Sequence, residues 1–340
     1  MSISTRFTRA YGILHPIASA GMGFVGSTHE LAFAVARAGA FGAIGVGLSS
    51  PADLAGTLGA YRDAIAAPVN INLITLLATE QHIDLLLETR PDVVSFHWGQ
   101  PPHEWVTALH GAGIKVWQQV GSVEAAERAL AQGVDLLVIQ GVEAGGHNFA
   151  ELPIFVAIPE FRRALGPEPL LLAAGGVCSG AALAAALALG ADGAWVGSRL
   201  LASEEANAHP DYKQALISAC GADTRLTSMF GRSMPQFNPM RVIANQVVRE
   251  WEGREADMPP EDERLPQIGT IELGGQELPL RRFNAFVPTR EMRGDTQEMP
   301  FLAGQGIGQI SETLPAGLIV ETMINEARWT IGSLASLVQV

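Results

Sequence analysis

Lysine is almost missing from this chain: Lys115 and Lys213 are its only two, and 22 basic residues stand against 35 acidic ones for a formal net charge of −13. So negative a surface repels phosphate backbones and anionic headgroups, which excludes nucleic acid and acidic membrane as main partners. Cysteine is as scarce. Cys178 and Cys220 are the only two, too few for a disulfide framework or a cysteine-rich metal centre, and a reducing cytoplasm is the expected compartment. Charged residues reach only 17% while hydrophobic ones make up 48%. That balance excludes a disordered or coiled-coil chain and suits a globular enzyme with much buried parallel strand. The N-terminus, "MSISTRFTRAYGILHPIASAGMGF", lacks a continuous apolar stretch followed by a cleavage site, so no export signal is read. No H-E-x-x-H, G-x-S-x-G or Walker A pattern occurs, which removes the usual zinc protease, serine hydrolase and P-loop readings. The uncharged run at 169–191 is long enough for a membrane span. Its cluster of Gly175, Gly176, Ser179 and Gly180 instead predicts a strand, a turn and a helix.

What the chain does have is a βα rhythm. Short apolar runs at 16–20, 42–46, 69–73, 93–97, 115–120, 136–140, 170–174 and 193–197 alternate with helical patterns such as "THELAFAVARAG", "SVEAAERALAQG" and "CSGAALAAALALG". Each helix is opened by a capping Ser or Thr or closed by Gly. Eight such units predict a closed α/β barrel of the (β/α)8 TIM type, with residues 1–220 forming the barrel. After about residue 220 the composition becomes charged and rich in Pro and Gly, as in 253–284. Residues 221–304 are therefore expected to form an inserted, smaller, loop- and helix-rich subdomain on the substrate side. Helical periodicity returns at 305–340, predicting C-terminal helices packed on the barrel or the insert.

One motif argues against the barrel. "GMGFVG" at 21–26 is a literal dinucleotide-binding glycine pattern between a strand and a helix. The acidic residue that should follow on the second strand is absent from "GAIGVGLSS", and the strand count runs on to eight. In a barrel, the same glycines let the first βα loop approach a flat ligand closely.

Barrel enzymes work at the C-terminal ends of their strands. The residues there are Met22, Asn72, His97, Gln118 or Gln119, Gln140 and, in the loop "QGVEAGGH", His147. Loops after strands seven and eight bind phosphate in such folds through bare backbone N–H groups. Gly175 and Gly176, then Gly197 and Ser198, stand at those two places. Gly145 and Gly146 let the backbone lie flat while His147 projects over the mouth as a general acid or base. His97 reads equally as a second polar group of the substrate pocket or as a packed histidine, and Glu143 is expected to face water. Asn72 should face inward if Ile71 and Leu73 face the helices. In strand five, a Trp117 turned to the helices would aim Gln118 inward.

These residues carry a resemblance. The pieces "GMG", "VNINL", "VSFHWGQP", "QGVEAGGH", "LLLAAGGV", "GADGAWVGSRLLASEEANAHPDYK" and "FLAGQGIGQISETLPAGLIVETMINEA" resemble the nitronate monooxygenases, FMN-containing barrels once called 2-nitropropane dioxygenases. The resemblance implies an FMN phosphate on Gly176, Gly197 and Ser198. It places Met22, Asn72, Gln118 and Gln140 around the ring and ribityl chain, Gly145 and Gly146 beneath the loop, and His147 as base. It further implies oxidation of alkyl nitronates, or nitroalkanes, by O2 to carbonyl compounds and nitrite. This chain has Ala20-Gly21-Met22 where the family often has A-P-M. The same barrel also resembles NAD(P)H-dependent quinone reductases and enoyl-acyl-carrier-protein reductases, which keeps NAD(P)H open as a partner. Monomer and homodimer are both compatible with the sequence.

Overall fold

The computed structural model describes residues 2–273 and 276–337, so the last three residues of the expected C-terminal segment lie outside it. Eight parallel strands form the centre: β1 Ile17–Ser19, β2 Gly42–Gly45, β3 Val69–Ile74, β4 Val93–His97, β5 Lys115–Val120, β6 Leu136–Gln140, β7 Leu170–Ala174 and β8 Gly193–Val196. Each begins and ends within one residue of the run that predicted it. They pair in the order β1-β8-β7-β6-β5-β4-β3-β2. A parallel bridge from Ala18 to Phe41, with Phe41 N–H donating to Ile17 O, joins the two ends and closes the barrel. Closure removes the Rossmann alternative. The glycines of "GMGFVG" serve packing instead: a Cβ on Gly21 would overlap the Asn72 side chain.

Between the strands lie capped helices. The Ser122 and Ser179 hydroxyls accept from Ala125 N at 3.2 Å and Ala182 N at 3.3 Å, satisfying first-turn donors of helices Val123–Ala131 and Gly180–Ala188. The membrane-like run therefore resolves into β7, a turn and a helix. Among the described residues, no helix is long and apolar enough to cross a membrane.

The barrel floor is aromatic. A helix at Arg6–Tyr11, for which the sequence reading had no element, sets Phe7 and Tyr11 under the strands against Phe41 and Trp117. Ring centroids of Phe7 and Phe41 lie 5.7 and 4.9 Å from that of Trp117, and Trp117 Nε1 donates to Tyr11 Oη at 2.6 Å. Asp192 ties this plug down by accepting from Arg6 Nε at 2.7 Å and Arg162 Nη2 at 3.1 Å.

The long tail helix Ala316–Ala335 buries Ala316, Ile319, Val320, Met323, Ile324 and Ala327, a stripe of helical period. That stripe packs on helices Gly180–Ala188 and His29–Arg37, the place of the barrel's eighth helix. Gly180 permits the contact, since a Cβ there would overlap the backbone of Met323 and Ala327. Glu326 Oε2 accepts from Gly180 N at 2.8 Å, capping the neighbouring helix. Four of these side chains, Ile319, Val320, Met323 and Ile324, bury about 2 kcal/mol each of transfer free energy. Together that approaches the net stability of a whole domain.

Residues 198–315 thus lie between the last strand and its helix. They include the antiparallel pair Thr224–Thr227 and Met240–Ile243 and a hairpin of Gln267–Leu273 with Gln276–Arg281. Met229, Phe230, Met240, Val242 and Phe283 share a core of their own.

Candidate active site

The C-terminal ends of the strands open into a cleft whose empty space, counted out through its mouth into open solvent, is roughly 1160 Å³. Two walls of different make face each other across it.

One wall is backbone. Gly175 and Gly176 follow β7 with φ of +117° and +71°, conformations that favour glycine, and a Cβ on Gly175 would lie 2.9 Å from Ala144 N. Gly197 and Ser198 follow β8 and line the same space. A returning segment of the insert seals this wall from outside: Gly304 N donates to Ser198 Oγ at 2.9 Å and Gln305 N to Glu143 O at 2.8 Å. A Cβ on Gly145 would overlap Gly304 N, so the E-A-G-G loop and the "LAGQG" segment are fitted backbone to backbone. Gly145, Gly146 and Met22 also line the cleft.

The other wall is aromatic and carries His147. Gly146–His147 forms a short strand added to the insert, with His147 opposite Met240 and Gly146 opposite Arg241. Asn148 folds the loop into shape: its Nδ2 donates to the carbonyls of Gly141, Val142 and Ala144 at 3.0 to 3.2 Å. Gln140 Nε2 donates to His147 O at 2.9 Å. Glu143, expected in water, instead accepts from Ile154 N at 3.0 Å, anchoring the loop to helix Ile154–Leu165.

The His147 ring stands edge-on to Trp98, with centroids 3.6 Å apart at 85°, and its Nδ1 meets the carbonyl of Phe237. A carbonyl only accepts, so Nδ1 carries the proton and Nε2 keeps its lone pair. Burial pulls the His147 pKa down to about 3, against the Phe237 bond, with His97 nearby lowering it further. Burial brings His97 down to about 4. Both rings are neutral near pH 7. His97 lines the cleft beside Trp98.

Two expected side chains lie elsewhere. Gln118 is turned out of this cleft: Trp117 points into the aromatic floor rather than toward the helices, so strand alternation aims Gln119, which does line the cleft, inward. The packing of Trp117 against Phe7 and Phe41 is the reason. Asn72 faces inward as expected, with Ile71 and Leu73 in the outer core. It is not in the cleft wall but beneath Gly21, where Nδ2 donates to Ser95 Oγ at 2.8 Å.

The sequence reading missed Trp98, Phe237, Tyr212, Leu302 and Gly304, all in contact with His147 or lining the cleft. Trp98 has φ of +62°, strained for a bulky residue and of the kind that gathers at functional sites. A tryptophan between a strand-tip His97 and Gly99 was the available signal.

A family model described as nitronate monooxygenase matches residues 4–82 and 75–326. A Pseudomonas aeruginosa nitronate monooxygenase is 29% identical over 373 residues, covering 96% of this chain and all of that protein. The structure of FabK from Thermotoga maritima superposes with a TM-score of 0.83 at 29% identity over 99% of this chain and 100% of that one. Nitroalkane oxidase from Streptomyces ansochromogenes does so with a TM-score of 0.77 at 25% identity, over 96% of this chain and 99% of that one. With so nearly complete a match, the chain belongs to the nitronate monooxygenase family, whose members are flavin-dependent oxidoreductases.

Proposed function

We propose that this chain is an FMN-dependent nitronate monooxygenase, converting alkyl nitronates, and nitroalkanes through their nitronates, with O2 to carbonyl compounds and nitrite. One observation carries the reading: a neutral imidazole with its free lone pair on Nε2 stands across one cleft from two glycine loops at strand ends seven and eight.

The cleft fits a flavin mononucleotide. Bare backbone at Gly176 and Gly197 with the Ser198 hydroxyl suits a phosphate. Met22, Gly145, Gly146 and Gln140 give a mixed apolar and amide surface for a ring system, with Gln119 taking the place first given to Gln118, and Asn72 supporting Gly21 from below. Bound FMN would supply the redox chemistry, accepting an electron from the nitronate and passing it to dioxygen.

The protein's own part is proton handling and placement. His147 is unprotonated at pH 7, so its proton-accepting site is always vacant for the α-proton of a nitroalkane. Desolvation also makes it a weak base. The proton it takes is stabilised by the nitronate left beside it, an ion pair strengthened by the dry aromatic wall of Trp98 and Phe237. The Phe237 carbonyl, accepting from Nδ1, holds the tautomer. Residues 221–304 act as the substrate-side layer, since they supply Ala285, Val287 and Leu302 to the cleft and the Phe237 carbonyl to His147.

The test is anaerobic mixing of the purified protein with an alkyl nitronate and, separately, with NADH or NADPH while following flavin absorbance. Bleaching by nitronate, with nitrite released on admission of air, is expected. Rapid bleaching by a nicotinamide with no response to nitronate would replace the activity with a reductase on the same barrel.

A further inference from the structure

The cleft is rich in polar backbone and poor in charge. Besides His147 and the glycine loops, it is bounded by Phe24, Ile74, Tyr212, Ala285, Val287 and Leu302. Tyr212 adds no free hydroxyl, since its Oη donates to Leu302 O at 2.6 Å. Phe24 is fixed in place. Its backbone has φ of +64°, costly for a bulky residue, and its ring lies 5.3 Å from that of Phe286, the insert residue between Ala285 and Val287. Barrel and insert thus build one apolar wall together.

Among the described residues that line the cleft, none is Asp, Glu, Lys or Arg. Two arginines adjoin lining positions, and both are engaged elsewhere. Arg199, next to Ser198, donates to Glu312 O at 3.2 Å. Arg241, paired with Gly146, donates to Val142 O at 3.0 Å and to Thr224 Oγ1 at 3.2 Å. Both histidines of the cleft are neutral at pH 7.

Charge then decides what the cleft admits. A single negative charge has an answer, because His147 can take a proton and pair with it. A second one has none: it leaves water for an apolar wall without a cation, in the same cleft as a bound phosphate, and becomes an unpaired buried ion. The net charge of −13 opposes it again during approach. Resting on the nitronate reading above, we propose that this site selects nitro compounds whose remaining part is uncharged and apolar, and rejects those that also carry a carboxylate. The selecting element is the wall of Phe24, Ala285, Val287 and Leu302, while His147 handles the nitro end in either case.

Three nitronates of similar length test this on the flavin-loaded protein: those of 1-nitrobutane, 3-nitropropionate and methyl 3-nitropropionate. For the carboxylate, kcat/KM is expected to be at least about a hundredfold lower than for the butyl compound, the scale of an unpaired buried charge. The ester, which keeps the skeleton and loses the charge, is expected to recover most of that loss. Ala285→Lys plants a cation in the wall and is expected to narrow the ratio at least tenfold, raising the carboxylate and lowering the butyl compound. Should that variant fail to fold, Ile74→Lys, on the barrel side, is expected to do the same. Comparable values for the carboxylate and the butyl compound overturn the proposal. So does an ester as poor as the carboxylate, which would show exclusion by bulk. If all three are silent the proposed activity falls, and the selection is read from binding instead. Titration with hexanoate and methyl hexanoate, followed by the absorbance of the bound flavin, is expected to favour the ester at least tenfold. Equal affinity there overturns the charge selection as well.

Discussion

The two walls of the cleft differ in what makes them. The glycine wall is main chain: Gly175, Gly176 and Gly197 leave space that any added atom would fill, and Gly145 lets Gly304 close behind them. The histidine wall is side chain, with His147 held between Trp98 and the Phe237 carbonyl. A wall of the first kind is broken by adding atoms, one of the second kind by removing them. The first belongs to the barrel and its tight loops. The second is assembled across the joint between barrel and insert, since the strand carrying His147 is completed by Met240 and Arg241.

This contrast predicts separable failures. The largest effect is expected from His147→Ala: turnover of nitroalkane falls by roughly 10²–10⁴-fold, the usual worth of a positioned acid or base, while bound flavin, read at its visible absorbance, stays stoichiometric. Flavin loss in that variant would show that the walls are one unit. Next, Gly175→Val adds a branched side chain at φ +117° and 2.9 Å from Ala144 N. Flavin affinity is expected to drop at least tenfold, and residual turnover per bound flavin to stay near wild type. Equal losses in both quantities would again erase the distinction.

The smallest effect concerns pH. Burial lowers both His147 and His97, to about 3 and about 4, whereas in the unfolded chain each titrates near 6.5. Between those values the unfolded state holds more protons than the native one, so stability is full above pH 6.5 and is lost as pH falls toward 4 and 3. Urea denaturation at pH 7 and pH 4.5 is expected to show a smaller decline for the double variant His97→Asn, His147→Asn than for the wild type. An equal decline would mean that these rings are not buried neutral in solution.

The legibility of the two walls from sequence follows the same division. Strands buried on both faces read as continuous apolar runs, so all eight were found to within a residue, and glycine pairs at strands seven and eight are where the barrel fold demands bare backbone. His147 was reachable because its loop leaves a barrel strand. What failed depended on contacts distant in sequence. Trp117 looks like a residue for the helix layer until a plug helix brings Phe7 and Tyr11 beneath it, and that error carried Gln118 to the wrong face. Leu302 and Gly304 come from irregular chain and Phe237 from a single 3-10 turn, Pro235–Phe237, none with a periodicity to read. Glu143 had no visible partner because Ile154 N–H is freed only by the helix that begins there.

The tail helix has a consequence in time. Helices His29–Arg37 and Gly180–Ala188 share a groove that is filled by Ala316–Ala335. On a ribosome adding roughly 5–20 residues per second, all eight strands emerge seconds before the element that completes their outer layer. During that interval the groove is open apolar surface of the aggregation-prone kind, so the last helix guards the birth of the chain as well as its finished form.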